Sequence, residues 1–127
     1  MSQYFKKIDS LMAIFLDNME DIICQKRDQE TKQKLGADFN QRIAAKTDKM
    51  EEAGLRAEAA GQKPNENEEC QKLILEHMDL VAIAATAALQ EAEIKAAVPN
   101  ALKTQDTVEF FEAQGAKNMA SLIKKAM

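Results

Sequence analysis

The chain has 127 residues, of which 46% are hydrophobic and 30% charged, and it carries a formal net charge of −4. That length suits one cooperative unit, so residues 1–127 are read as a single domain with one main core. Five Phe, one Tyr, no Trp, two prolines and four glycines, with no run of β-branched residues alternating at period two, exclude all-β and doubly wound α/β folds. The prediction is an all-α, up-and-down helical bundle of about four helices, with long first and third helices and a polar helical hairpin in the middle.

The first candidate helix covers residues 3–35. Tyr4, Ile8, Leu11, Phe15, Met19 and Ile22, flanked by Phe5, Met12, Leu16 and Ile23, make a wide apolar face. Beyond Cys24 the character changes, because Gln25 to Lys34 contains no apolar residue. Leu35 followed by Gly36 is a helix stop. A second helix, capped by Asp38, is expected to reach Ala60 on the thin stripe of Phe39, Ile43, Met50 and Leu55. Residues 25–69 hold five large apolar side chains where residues 4–23 hold eleven. The middle therefore has no core of its own, and is expected to project as a hairpin or to lie as a loosely held layer.

Gly61 to Asn65 reads as a linker. Asn65 with Glu68 forms a capping-box pattern, and Glu66, Glu68 and Glu69 put negative charge at the start of a third helix running to Ala97, where Pro99 stops it. Its centre, Met78 to Leu89, is apolar nearly all round, as a helix surrounded by neighbours would be. Ala84, Ala88, Ala92 and Ala96 recur at i+4 and predict a ridge that a neighbour can approach closely, by analogy with small-xxx-small packing in membranes. The last helix begins near Asp106, paired with Glu109, and buries Val108, Phe111, Met119 and Leu122. Gly115 interrupts it at a cost of about 1 kcal/mol relative to Ala, which predicts a kink or two short helices.

The search for chemistry returns little. His77 is the only histidine, and Ile74 stands three residues before it, so the Glu-x-x-His pattern of di-iron bundles is missing. Zinc on Cys24, Cys70, His77 and a carboxylate lacks local ligand spacing. The two thiols are read as reduced, buried hydrophobes. No Gly-rich phosphate loop is present. Asp17, Glu20 and Asp21 lie opposite the apolar face and are read as solvated. The predicted content is no catalytic residue, no metal and no cofactor.

The charge is uneven, with two basic against seven acidic residues between 65 and 99. A nucleic-acid binder shows the opposite bias, so no nucleic-acid partner is expected. The start of the chain lacks the apolar core of a secretory signal, and Leu80 to Leu89 is too short to span a bilayer, so a cytoplasmic address without membrane contact is expected. The leading functional reading is a non-enzymatic protein-binding module: an inhibitor, an immunity or anti-defence protein, or a small chaperone. Its contact residues are expected on the acidic third helix, at Glu66, Glu68, Glu69, Glu76 and Asp79, or on the polar middle, at Lys26, Arg27 and Arg42. The acidic set implies a basic protein partner. The alternatives are a structural homo-oligomer, such as a homodimer, and a helical metalloprotein.

Overall fold

The structure, a computed structural model, describes residues 2–21 and 28–127, and among them it contains six α-helices and no strand. They are α1 (Ser2–Glu20), α2 (Asp28–Ala59), α3 (Glu68–Ala88), α4 (Glu91–Ala97), α5 (Gln105–Ala113) and α6 (Lys117–Ala126), with 3-10 turns at Pro64–Glu66 and Asn100–Leu102. None of these helices is long and apolar enough to cross a membrane.

α1 presents Phe5, Ile8, Met12, Phe15 and Met19 to the interior, all at most 2% exposed. Their spacing of three and four residues is that of one helical stripe. The stripe centres on Phe5 and Met12, with Tyr4, Leu11 and Leu16 half-buried at its edges. The expected run of the first helix to Leu35 crosses residues 22–27, outside the described residues, and residues 28–35 belong to α2.

The main core forms where α1 meets Leu75, Met78, Ala82 and Ala85 of α3, Val108 and Phe111 of α5, and Met119, Leu122 and Ile123 of α6. Burying each of these larger side chains stabilises the fold by about 1.5–3 kcal/mol before chain entropy is charged against it. Met12, Met19, Met78 and Met119 all lie in this core, as expected of flexible gap-fillers. One polar thread enters it. The Tyr4 hydroxyl hydrogen-bonds the buried Thr107 hydroxyl at 3.0 Å, and Thr107 meets the Thr104 hydroxyl at 2.9 Å.

Of the two arrangements expected for the polar middle, the structure takes the packed layer. α2 lies antiparallel to α3 from Lys34, whose Nζ donates to the Ala87 carbonyl, to Ala57, which packs with Cys70. Two separate apolar clusters fasten it. Leu35, Phe39 and Ile43 meet Leu80, Ile83 and Ala84 at one end, and Ala53 and Ala57 meet Cys70 and Leu73 at the other. Gly36, where a helix stop was expected, interrupts α2 with φ +80° and ψ 169°, and helix resumes beyond it. The Asn40 side-chain amide donates to the Gly36 carbonyl at 2.9 Å across this break.

Three helix boundaries differ from expectation. The cap of α3 is Asn67, whose Oδ1 accepts from the Cys70 amide at 3.0 Å, while Asn65 sits in the preceding 3-10 turn. Thr104 rather than Asp106 caps α5, accepting from the Thr107 amide at 3.2 Å. The expected third helix is two helices, because Leu89 is extended and Glu93 Oε1 accepts from the Gln90 amide to start α4. That break ends the alanine ridge: Ala84 is buried on α3, whereas Ala92 and Ala96 are exposed on α4. Gly115, at φ +79°, turns the chain between α5 and α6 and yields the two short helices expected there.

Candidate functional site

The α2–α3 interface has fasteners at its two ends and little between them. Residues 44–52 of α2 offer only Met50 as a large apolar group, so the helices cannot close there. The result is a groove of about 710 Å³, walled by Arg42, Ala45, Lys46 and Lys49 on α2 and by Glu68, Lys72, Leu75, Glu76, Asp79 and Leu80 on α3. The turn at Gln114–Ala116 between α5 and α6 closes one side. A smaller hollow of about 330 Å³ continues past Lys49, Lys72 and Glu76 towards Arg56 and Glu69. Volumes of several hundred Å³ suit a small ligand or a few side chains of a partner.

The charges of the groove fall into two sets. Lys46 Nζ lies 2.6 Å from Glu76 Oε2, a pair whose lysine side chain is 21% exposed. Asp79 has a different task. Its Oδ1 accepts from the Met119 amide and its Oδ2 from the Asn118 side-chain amide, both at 3.0 Å. The N-cap position of α6 is Ala116, a residue with no side chain able to cap, so a carboxylate from α3 caps the helix across the fold. Arg42, Lys49 and Lys72 are exposed and form no ion pair among the described residues. The groove therefore holds four cations and three carboxylates, and two of those carboxylates are already engaged.

The expected contact residues separate accordingly. Glu68 and Arg42 face the groove, Glu76 is paired to Lys46, and Asp79 is the cap of α6. Glu69 pairs with Arg56 on the surface, and Glu66 is exposed in the 3-10 turn. Lys26 and Arg27 lie outside the described residues, as does Cys24. Reading the chain missed Lys46, Lys49 and Lys72. The signal was there, since Arg42, Lys46 and Lys49 fall at i, i+4 and i+7 on one helix face. An even charge count over residues 37–64 concealed it.

The described thiol and imidazole, Cys70 and His77, stand seven residues apart on α3. Among the described residues, no three His, Cys, Asp or Glu side chains are grouped to hold a metal ion. Burial pushes the Cys70 thiol pKa up, Glu69 adds to the rise, and Arg56 opposes it. A raised pKa leaves less of the nucleophilic thiolate. His77 is partly buried, with Nδ1 out of solvent and without a hydrogen-bond partner. Burial, and then the nearby Lys46, lower its pKa and favour the neutral imidazole. Asp17 on α1 and Asp21 just beyond it are exposed, as expected of a solvated face, and the Glu20 side chain lies outside the described residues.

Compared with family models, with curated proteins and with solved structures, the chain matches none of them.

Proposed function

We propose that this protein is a non-enzymatic, cytoplasmic binding module that presents the α2–α3 groove and its flanks to another protein. The observation that carries this reading is the divided role of α2. Its apolar contacts with α3 lie at its two ends, and between them, where the Lys46–Glu76 pair is the one ion pair across the groove among the described residues, it offers an open hollow rimmed by Arg42, Lys49 and Lys72, none of them in an ion pair among the described residues. Fold stability alone gives no reason for that arrangement, since closing α2 onto α3 with larger apolar residues would bury more surface. A stable protein interface needs roughly 800 Å² per partner, so the exposed flank of α2 would share the contact with the groove. An inhibitor, an immunity or anti-defence protein, or a small chaperone would each work in this way.

The test is site-directed photo-crosslinking in native lysate. A crosslinking residue at Ala45, exposed in the groove wall, is expected to give a discrete heteromeric product. The same residue at Ala13, exposed on α1, is expected to give none. Equal products at both positions, or none at either, would remove the proposal.

A further inference from the structure

The acidic stretch of α3 suggests a basic partner, but the groove carries the opposite preference. The geometry points to an acidic polypeptide segment, with apolar side chains among its carboxylates, as the part of the partner that docks between α2 and α3. The inference rests on the protein-binding reading above and adds the chemistry of the occupant.

Three observations support it. Glu76 is neutralised by Lys46, and Asp79 faces the positive N-terminal end of α6. In the groove an incoming chain therefore meets Arg42, Lys49 and Lys72 against Glu68, and in the adjoining hollow it meets Glu52. The cations also reach from one hollow into the next, because Lys49 and Lys72 border both. Arg42 and Lys49 stand seven residues apart, roughly 10 Å along the helix axis, so they can meet carboxylates on successive turns of a docked helix or along an extended strand. Finally, the floor is apolar, formed by Leu75, Leu80 and Ala116, with the two leucines and Ala116 themselves buried.

That floor separates a mixed acidic and apolar peptide from a nucleic acid. Phosphodiester strands carry regularly repeated charge and favour an unbroken basic track. Here carboxylates interrupt the track, and the apolar floor would meet no apolar ligand atoms from a phosphate backbone. Complementary charge would steer the acidic segment to the groove while the net-negative remainder of the surface repels it.

The experiment uses the full chain and a short fluorescein-labelled peptide of glutamate pairs separated by leucines, followed by fluorescence anisotropy. The peptide should bind, and binding should weaken as salt is added. The triple variant Arg42→Glu/Lys49→Glu/Lys72→Glu should bind at least about tenfold more weakly. A charge-matched variant, Lys6→Glu/Lys63→Glu/Lys125→Glu, changes exposed lysines elsewhere and should stay within about twofold of the parent. Circular dichroism confirms that both variants keep their helix content. No binding of the acidic peptide, equal loss in the two variants, or equal binding of a lysine–leucine peptide would overturn the inference. Binding of oligothymidylate in place of the peptide, lost in the first variant alone, would also overturn it in favour of nucleic acid. A crosslinked partner at Ala45 without peptide binding would remove only the acidic segment. Peptide binding without a crosslinked partner would remove the protein-partner reading and leave the charge preference of the groove.

Discussion

Replacing Asp79 by Ala tests whether one residue of α3 holds the start of α6. The change removes the acceptor for the Met119 amide and for the Asn118 side chain, both at 3.0 Å, and removes a negative charge from the N-terminal end of α6. A lost N-cap costs about 1 kcal/mol. The lost interaction with the helix dipole adds about 0.5–1 kcal/mol for a half-buried carboxylate. The residue at the cap position cannot replace it, because Ala116 has no polar side chain. The expected loss is about 1.5–2 kcal/mol in urea unfolding, and a fall in Tm of roughly 5–10 °C for a domain of this size. Asp79→Asn keeps an oxygen for the Met119 amide and gives up the charge, so it should lose about half as much. The reasoning fails if Ala costs under about 0.5 kcal/mol, or if Asn is as damaging as Ala.

Gly36→Ala should destabilise by about 1–2 kcal/mol through backbone strain alone, since φ is +80° and nothing lies within 4 Å of the added methyl group; urea unfolding measures it. Phe39→Ala removes the largest residue of a small cluster and should cost about 2–3 kcal/mol, below the range for a fully enclosed Phe. Hydrogen exchange should then show α2 losing protection before the α1–α3–α6 core. For His77, burial and then the nearby Lys46 hold the folded pKa below the ordinary value of 6.5. Its contribution is therefore fully present above about pH 6.5 and is lost as pH falls through the folded value. Stability followed by Tm should decline on acidification through that range, and less steeply in His77→Gln.

The helical class and the position of the core were legible because long apolar stripes leave few alternatives. Phe5 to Met19 and Met78 to Ala85 announce buried faces by spacing alone, and the structure sets them against each other. The break at Leu89–Gln90 was not legible, because neither glycine nor proline marks it. Tertiary packing and a Glu93 cap outweigh the helix preference of the surrounding alanines. Two caps were misplaced for a related reason. Asn65 and Asn67 are equally good capping residues, and only the path of the 3-10 turn selects the second. The groove was half legible. Its cations share a helix face in the sequence, but the neutralisation of Glu76 and the capping role of Asp79 depend on contacts 30 and 40 residues away. No local pattern encodes which carboxylates will be engaged.

The bond between Tyr4 and Thr107 spans 103 positions of the chain. During synthesis α1 leaves the ribosome before α3, α5 and α6, with Phe5, Met12, Phe15 and Met19 ready for burial. Their neighbours on α5 and α6 are about a hundred codons away. At bacterial or eukaryotic elongation rates that interval is roughly 5–20 s, during which the nascent helix is exposed to holdases and to other unfinished chains. Slowing translation between the codons for α3 and α5 should therefore lower soluble yield without altering the finished protein.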